Sequence, residues 1–335
     1  MNKYVVVLAA GRGSRMQSRD PNHSKVAYPI LDKPLVNYVI DAVKGIHPTQ
    51  IVVVVGFGGE VTKSLVEKDA EVVWQNVING TGGAVLQAKP LLENKQGYTL
   101  VVCGDTPLIT TETINNVFRI HEKTGNALTI VSMVLETPRG YGRIVRENKT
   151  NRVIAIREDR DCSEAEKDIN EVNAGMYVFD NELLFKYLTK ISPNNAQHEY
   201  YLTDLIEMFV NDGKKVGSYI VENAEEMFGI NDRVQLAYAA KVIRKRVNHK
   251  LMLSGVSIED PDSTYISPDA EISRDTIIRP NTSIMGHTKI GENNLIGPNV
   301  YLKDVTVGND NVILSSWLEG ETIGNGQTVF DVKKR

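Results

Sequence analysis

The C-terminal part of the chain carries a six-residue period of aliphatic side chains. Seven positions in one register hold isoleucine or leucine: Ile266, Ile272, Ile278, Ile284, Ile290, Ile296 and Leu302. Roughly a quarter of the chain is Ile, Leu or Val, so seven matches have a chance probability on the order of 10⁻⁴ per starting point. A hexapeptide period is typical of a β-helix, in which each short strand points one aliphatic residue into a prism-shaped core. The period therefore predicts a parallel β-helix.

Small and polar residues suited to tight corners stand between the aliphatic positions. They are Asn281, Gly291, Asn293, Gly297 and Asn299. The pattern resembles left-handed β-helix proteins, so we expect residues 266–335 to form a short left-handed parallel β-helix of about three coils.

The first 230 residues have a different pattern of hydrophobic residues. Short aliphatic runs alternate with helix-like segments, as in VVVLAA, LVNYVIDAVKGI, IVVVVG, TGGAVLQAKPLL and TLVVCGD. Such alternation predicts βαβ units, and hence a Rossmann-like α/β domain whose parallel sheet is covered by helices on both faces. Binding sites in these sheets lie beyond the carboxyl ends of the strands. The motifs AAGRGSR, GFGG and GDTP all fall there.

Domain boundaries follow from these patterns. We expect the Rossmann-like α/β domain at 1–231, a connecting helix and linker at 232–265, and the β-helix at 266–335. The connecting helix is predicted from Asp232 to Gly255, about six turns, because good helix formers end in basic residues and a glycine.

Composition and charge narrow the class of protein. The chain has 335 residues, of which 41% are hydrophobic and 24% charged, as in soluble globular proteins of two domains. A net charge of −4 argues against nucleic acid or an anionic membrane as the main partner. Cys103 and Cys162 are too few for a disulfide framework. With no signal peptide or membrane span visible, the cytoplasm is the expected location.

The first strand ends in a glycine-broken loop, YVVVLAAGRGSRM. Gly11 and Gly13 would let backbone N–H groups approach phosphate oxygens, and Arg15 adds further donors. The loop is not a dinucleotide-binding fingerprint, since Met16 replaces the third glycine, nor a P-loop, since no G-K-[ST] follows. An ordinary strand-to-helix turn is the alternative interpretation.

Two further motifs place oxygen ligands near this edge. Asp105 follows the strand YTLVVC, where a carboxylate is well placed for Mg²⁺. Asp105 could instead cap the next helix, since Thr106 and Pro107 follow it. Asn231 and Asp232 precede the connecting helix, where capping is again the alternative.

The loop LAAGRGSRM resembles the L-A-A-G-x-G-T-R-M signature of the sugar-1-phosphate nucleotidyltransferases. Ser14 stands where the family has threonine. The lysine that follows in the family would be Lys25, here in SRDPNHSK, which is a few residues longer than usual. The resemblance implies that Leu8, Ala9, Ala10, Gly11 and Gly13 contact substrate and that Arg15 and Lys25 are catalytic.

Further motifs resemble one branch, the bifunctional N-acetylglucosamine-1-phosphate uridyltransferase/glucosamine-1-phosphate acetyltransferase family. They are QNVINGTGGA, GYGRIVRE, IREDRD with EVNAGMYVF, and NNAQHEYYLTDLI. The resemblance implies that Asp105 and Asn231 hold Mg²⁺. It also implies that Gln75, Gly80 and Thr81 read uracil, and that Gly142, Glu158 and Asn173 lie at the sugar, where Glu158 and Asn173 hold its hydroxyls and acetamide.

This resemblance implies a cytoplasmic enzyme that transfers UMP from UTP to N-acetylglucosamine 1-phosphate, within UDP-N-acetylglucosamine and cell wall biosynthesis. It also implies a homotrimer held by the β-helix. QTVFDVKKR does not resemble the family at that point, so no acetyltransferase activity is expected. Two alternatives stay open: a nucleotidyltransferase for another sugar 1-phosphate, and a non-catalytic oligomer that binds sugar nucleotides.

Three residue types invite other interpretations. The six histidines show no metal-binding spacing, so surface or structural roles are expected. Cys103 is most simply a small buried residue. Trp74 could wall the base pocket or lie in the core.

Overall fold

A computed structural model of the protein describes residues 1–20, 23–195 and 197–334. Pro21 and Asn22 of the 17–25 loop, Ala196 of the NNAQ motif and Arg335 at the end of the predicted β-helix lie outside the described residues. The chain divides into two compact units: Met1–Tyr28 with Leu35–Asp232, and Pro29–Pro34 with Arg233–Arg335. No helix in the described ranges has the length and apolar character needed to cross a membrane.

Strands and helices alternate through most of the first 232 residues. The strands are β1 (Lys3–Ala9), β2 (Pro29–Ile30), β3 (Lys33–Pro34), β4 (Gln50–Val55), β5 (Glu71–Trp74), β6 (Tyr98–Cys103), β7 (Leu128–Val134), β8 (Arg143–Arg146), β9 (Val153–Arg157), β10 (Glu171–Asp180) and β11 (Val216–Ile220). The α-helices are α1 (Leu35–Lys44), α2 (Gly59–Val66), α3 (Thr81–Leu86), α4 (Lys89–Leu92), α5 (Thr111–Thr124), α6 (Glu164–Lys167), α7 (Asn181–Leu188), α8 (Asp204–Asn211) and α9 (Arg233–Leu253). Short 3₁₀ helices span Ser14–Met16, Lys25–Ala27, Asp159–Asp161 and Ala224–Met227.

The sheet of the first unit has the order β11-β7-β10-β6-β1-β4-β5, and β8 and β9 attach beside β10. Strand β1 is parallel to both β4 and β6, as the βαβ pattern predicts. The expected parallel sheet is interrupted at β10, which runs antiparallel to both β6 and β7. The chain enters β10 from the antiparallel β8–β9 pair rather than through a βαβ crossover, and antiparallel pairing needs no crossover helix.

Helices cover both faces of this sheet. Successive residues of β1 point to opposite faces, so Val5 packs on one side and Val6 on the other. The first side is filled by α1, α2 and α5, and the second by α3, α7 and α8. Burial on both faces explains why the strands are nearly continuous aliphatic runs.

The second unit is a parallel β-helix of three sheets. Its strands are β12 (Ser257–Ile258), β13 (Tyr265–Ile266), β14 (Glu271–Ile272), β15 (Ile277–Ile278), β16 (Ser283–Met285), β17 (Lys289–Ile290), β18 (Leu295–Ile296), β19 (Tyr301–Lys303), β20 (Thr306–Val307), β21 (Val312–Leu314), β22 (Trp317–Glu319), β23 (Thr322–Ile323), β24 (Thr328–Phe330) and β25 (Lys333–Lys334). Each strand pairs in parallel with the strand one coil later. The β-helix prediction is confirmed. The helix predicted from Asp232 to Gly255 is present as α9 over Arg233–Leu253.

The expectation of about three coils is wrong. As far as residue 334, two of the sheets have five strands and the third has four, so this part of the chain forms between four and five coils. The aliphatic column continues past Leu302 through Val307, Ile313, Leu318 and Ile323, all buried. Several of these steps span five residues instead of six, which shortens the later coils and takes them out of the six-residue register.

The predicted corner residues suit the turns of the β-helix. Asn281, Asn293 and Asn299 have φ near +58°, and Gly297 has φ of +100°. Asparagine and glycine tolerate this left-handed region better than other residues.

A short hairpin, β2–β3, belongs to the second unit although it interrupts the first in sequence. Ile30 is buried, and the Lys33 ammonium group lies 2.6 Å from Asp269 Oδ1. At the hairpin tip, Asp32 pairs with Lys303 at 2.9 Å. No motif in the sequence predicts that residues 29–34 pack with the β-helix.

Candidate active site

The glycine loop follows β1 at the carboxyl edge of the sheet. Gly13 has φ of +59°, and a Cβ there would lie 2.6 Å from Cβ of Lys25. Gly13 is therefore required for close packing of the two loop segments. By contrast, nothing lies within 4 Å of a Cβ placed on Gly11, so the backbone there is open to a ligand.

Two cations of the loop converge on two oxygen-bearing side chains. The Lys25 ammonium forms an ion pair with Asp105 and lies 3.2 Å from Asn231 Oδ1. Arg15 donates a hydrogen bond to the same Asn231 oxygen at 2.9 Å. Four residues predicted from separate motifs are thus brought together, and the long loop does deliver Lys25 to the sheet edge.

The capping alternative for Asp105 is wrong. Helix α5 begins after Thr110, whose hydroxyl oxygen accepts a hydrogen bond from the backbone N–H of Thr113 at 3.2 Å. Thr106 donates its hydroxyl hydrogen to the Cys103 carbonyl at 2.7 Å, which fixes the turn after β6. The Asp105 carboxylate is left facing Lys25.

The donor set at Asp105 and Asn231 suits a hard divalent cation. Both oxygens already share one positive group, the Lys25 ammonium. Among the described residues no cluster of three or more His, Cys, Asp and Glu side chains could hold a metal. A metal here would therefore use one carboxylate, one carboxamide and substrate oxygens, a set typical of Mg²⁺.

A cavity of about 270 Å³ opens at this edge of the sheet. Nine of the predicted site residues line it: Leu8, Ala9, Ala10, Gly11, Lys25, Gln75, Gly80, Thr81 and Asp105. The sequence analysis did not assign the other lining residues to the site: Val26, Ile78, Ala84, Cys103 and Glu199. Trp74 does not line the cavity and instead packs against the core beside Gly59, so its core interpretation is correct.

Gln75 is fixed by its own loop. Its Nε2 donates to Asn79 Oδ1 at 3.0 Å and to the Gly80 carbonyl at 3.2 Å. Both amide hydrogens are therefore used within the protein, and the carboxamide can offer a ligand only its oxygen as an acceptor.

Cys103 is the last residue of β6 and lines the same cavity. Burial, followed by the nearby Asp105 charge, raises the pKa of its thiol to about 12. The thiol is therefore protonated at neutral pH and is a poor nucleophile.

The other three predicted residues form a second group. The backbone N–H of Asn173 donates to the Gly142 carbonyl at 2.8 Å, and a Cβ on Gly142 would lie 3.4 Å from Glu158 Oε2. Glu158 Oε1 accepts a hydrogen bond from Thr203 at 3.1 Å. Burial raises the pKa of Glu158, although the Thr203 hydroxyl opposes the shift. Thr203 lies in the EYYLTD motif, and that motif is the sequence signal that could have placed Thr203 beside Glu158.

The two groups are linked at neighbouring strand ends. The Cys103 thiol lies 3.8 Å from the carbonyl oxygen of Gly175, within β10 two residues after Asn173. Burial raises the pKa of Tyr141, next to Gly142, and the Asp105 charge raises it further, so that ring lies within electrostatic range of the carboxylate. Glu158 also lines a second cavity, of about 600 Å³, together with Tyr201 and Asp204.

Comparisons with known proteins agree with this fold and identify the family. A family model described as nucleotidyl transferase matches residues 4–227, and one described as bacterial transferase hexapeptide (six repeats) matches residues 269–304. A bifunctional protein GlmU from Geobacillus sp. (strain WCH70) is 46% identical over 329 residues, which cover 98% of this chain and 71% of that protein. The chain belongs to the GlmU family. The resemblance found in the sequence is thereby confirmed.

Other GlmU proteins give the same result. The protein from Lactobacillus johnsonii is 44% identical over an alignment that covers 95% of this chain and 68% of that protein. The protein from Halalkalibacterium halodurans is 43% identical, with corresponding shares of 96% and 70%. A crystal structure of a UDP-glucose pyrophosphorylase with UDP-glucose covers 73% of this chain and 100% of its own, with a TM-score of 0.57. At 18% identity it supports the nucleotidyltransferase fold alone.

Proposed function

We propose that this member of the GlmU family transfers UMP from UTP to N-acetylglucosamine 1-phosphate, giving UDP-N-acetylglucosamine and pyrophosphate. The observation that carries the proposal is the convergence of Arg15 and Lys25 on Asp105 and Asn231, where Lys25 and Asp105 line the same cavity as Gln75. The two cations suit the phosphates of a nucleoside triphosphate, and the oxygens of Asp105 and Asn231 suit the metal ion that accompanies it. The Gln75 amide can form a hydrogen bond with the base.

The base end of the cavity favours uracil. With both Nε2 hydrogens of Gln75 bonded to Asn79 and Gly80, the remaining oxygen can accept a hydrogen bond from N3–H of uracil. Cytosine has an unprotonated N3 at that position, so its lone pair would face another acceptor. Sites built on such hydrogen bonds reject the mismatched partner strongly.

The chemistry requires two polyanions to meet in line. Arg15 and Lys25 would neutralise phosphate charge, and the open backbone at Gly11 would let loop N–H groups approach the triphosphate. A bound Mg²⁺, held by Asp105 and Asn231, would supply Lewis-acid stabilisation of phosphate charge. The sugar phosphate is already ionised at neutral pH, so no side chain has to act as a general base. Catalysis is then chiefly positioning and charge stabilisation.

A substrate panel tests the proposal. UTP, dTTP, CTP, ATP and GTP are each combined with N-acetylglucosamine 1-phosphate or glucose 1-phosphate, and pyrophosphate release is measured with and without Mg²⁺. Preference for UTP and the acetamido sugar supports the proposal. Preference for another sugar phosphate supports the first alternative, and binding without pyrophosphate release supports a non-catalytic sugar-nucleotide protein.

Acetyl transfer is a separate question. The chain spans 68–71% of the length of these GlmU relatives. Because QTVFDVKKR does not resemble the family at that point, absence of acetyltransferase activity from these residues stays a prediction. Thiol release from acetyl-coenzyme A in the presence of glucosamine 1-phosphate measures it directly.

We further propose that the β-helix holds a homotrimer. One outer face, on the sheet β12-β15-β18-β21-β24, carries the partly exposed Ile277, Leu295, Val312 and Phe330. The face on β14-β17-β20-β23 instead carries Glu271, Lys289, Thr306 and Thr322. An apolar face beside a polar one is typical of an association surface.

Light scattering of the chain and of an Ile277→Arg variant tests the assembly. We expect a trimer that dissociates in the variant, whereas Lys289→Ala on the polar face should leave the mass unchanged. A monomeric parent chain at micromolar concentration would contradict the assembly proposal.

A further inference from the structure

Asn173 is held at both ends of its carboxamide. Its Oδ1 accepts a hydrogen bond from the backbone N–H of Gly175 at 3.0 Å, and its Nδ2 donates to the Tyr177 hydroxyl oxygen at 2.6 Å. Because the Gly175 N–H can only donate, these contacts also decide which end of the amide is oxygen and which is nitrogen. One N–H and one oxygen lone pair of the partly exposed side chain remain for a ligand.

The backbone around Asn173 is shaped for this arrangement. The pairing of β10 with β7 slips between Asn173 and Tyr177, where the register shows a bulge. Gly175 adopts φ of +74° within it, a conformation that costs glycine little. The bulge brings the side chains at 173 and 177, four residues apart, into contact. Such re-aiming of a side chain is a common use of bulges beside binding sites.

Tyr177 is suited to be a fixed anchor. Its side chain is only 4% exposed and packs in the core on the α7 and α8 side of the sheet. Burial raises its pKa, and the nearby Glu158 charge adds to the shift, so the hydroxyl stays protonated throughout the neutral range. The hydroxyl therefore accepts from Asn173 and retains its own hydrogen to donate.

We propose that Tyr177 is a positioning residue that aims the Asn173 carboxamide at the acetamido group of the sugar and so contributes to sugar selectivity. This inference rests on the proposed function, in which Glu158 and Asn173 hold the sugar. An acetamido substituent offers one N–H and one carbonyl oxygen. The N–H and the oxygen lone pair that remain on Asn173 are the complementary donor and acceptor partners, whereas a 2-hydroxyl group satisfies them less well.

Tyr177→Phe removes only the anchor oxygen, and Tyr187→Phe is a matched control. Tyr187 is also buried, at 3% exposure, in the same part of the core, and its hydroxyl donates to Asp212 rather than to a site residue. Loss of one such contact corresponds to roughly two- to tenfold in affinity. We expect Tyr177→Phe to raise KM for N-acetylglucosamine 1-phosphate by this factor and to reduce its preference over glucose 1-phosphate. KM for UTP should be unchanged, and Tyr187→Phe should leave the sugar preference unaltered.

A double-mutant cycle tests whether Tyr177 acts through Asn173. On an Asn173→Ala background, Tyr177→Phe should have no further effect on sugar preference, because nothing remains to be aimed. An equal loss on both backgrounds, or an unchanged preference in the single variant, would overturn the inference. Thermal unfolding of each variant shows whether a change in sugar preference comes from misorientation of the Asn173 carboxamide or from destabilisation of the fold.

Calorimetric binding provides a readout that does not need turnover. The ratio of Kd for UDP-glucose to Kd for UDP-N-acetylglucosamine is measured for the parent chain, Tyr177→Phe and Tyr187→Phe. A ratio that falls only in Tyr177→Phe supports the inference, whether or not pyrophosphate is released. Absence of pyrophosphate release would count against the proposed reaction instead. A parent chain that binds both sugar nucleotides equally would overturn the inference alone.

Discussion

Lys25 and Asp105 form an ion pair although eighty residues separate them in the sequence. A divalent cation that binds the Asp105 carboxylate must therefore compete with the Lys25 ammonium. We expect Lys25→Met to bind Mn²⁺ roughly tenfold more tightly while turnover falls about a hundredfold, because the same lysine neutralises phosphate charge. Electron paramagnetic resonance of free Mn²⁺ measures the affinity. Lys44→Met, which breaks an ion pair with Asp69 away from the cavity, is the control; unchanged Mn²⁺ affinity in Lys25→Met would contradict the competition.

Asp105→Asn should separate catalysis from stability. If Asp105 is a metal ligand, the variant should lose roughly a hundredfold or more in kcat/KM while Tm stays within a few degrees of the parent value. Differential scanning calorimetry and pyrophosphate release provide the two measurements. Asp69→Asn removes a carboxylate from an exposed ion pair and should retain full turnover. A clear fall in Tm with activity retained would assign Asp105 a structural role.

Gln75→Ala should reduce the preference for UTP over CTP. The carboxamide oxygen is the acceptor that matches uracil, and loss of one selective hydrogen bond is worth about 1 kcal/mol or more. We expect the ratio of kcat/KM values for UTP and CTP to fall at least fivefold. Gln87→Ala is the control, because Gln87 also donates from Nε2 to a backbone carbonyl, that of Gly83, but does not line the nucleotide cavity. An unchanged ratio would exclude Gln75 from base recognition.

His121 should make the folded chain sensitive to acid. The imidazole is fully buried against Tyr98 and Thr129, and burial lowers its pKa from 6.5 to about 4. Between these values the unfolded chain binds more protons than the folded chain, so stability is present above about pH 6.5 and is lost as pH falls towards 4. This contribution amounts to up to about 3 kcal/mol.

Urea unfolding at pH 7 and pH 4.5 measures that contribution. His121→Gln should remove part of the difference between the two pH values, whereas the exposed His249→Gln should retain it. Identical pH dependence in the parent chain and His121→Gln would show that other groups are responsible.

The hairpin at residues 29–34 should depend on the β-helix. Asp269→Asn removes the charge that pairs with the buried Lys33 ammonium, which should cost about 1–3 kcal/mol and expose the hairpin to proteases. Limited proteolysis with mass spectrometry locates the cleavage, and urea unfolding measures the loss. Glu271→Gln, in an exposed pair with Lys289 on the same β-helix, should change stability by less than about 0.5 kcal/mol. Equal effects from the two variants would contradict a special role for Lys33.

Features that depend on local sequence were predictable. The hexapeptide period identified the β-helix because each inward residue occupies an equivalent position in its strand. Glycine-broken loops after aliphatic runs located Gly11 and Asp105 because parallel strands end at a common edge.

Features that depend on contacts distant in sequence were not predictable. The direction of β10 is decided by its neighbours β6 and β7, and its own alternation is equally compatible with either orientation. Thr203 contacts Glu158 from the EYYLTD motif, and Tyr177 contacts Asn173 across the bulge in β10. Neither contact follows from a periodic sequence pattern. The later coils were missed because five-residue steps interrupt the register on which the count was based.

The hairpin that joins the second unit has a consequence for synthesis on the ribosome. Lys33 and its partner Asp269 are 236 residues apart, so at roughly 5–20 residues per second the nascent chain waits on the order of ten seconds or more between them. Throughout that interval β2 is without helix α9, which it contacts, and Lys33 is without Asp269. The segment immediately after Lys25 is therefore among the last parts of the N-terminal half to acquire its native surroundings, and a nascent-chain chaperone would find it exposed.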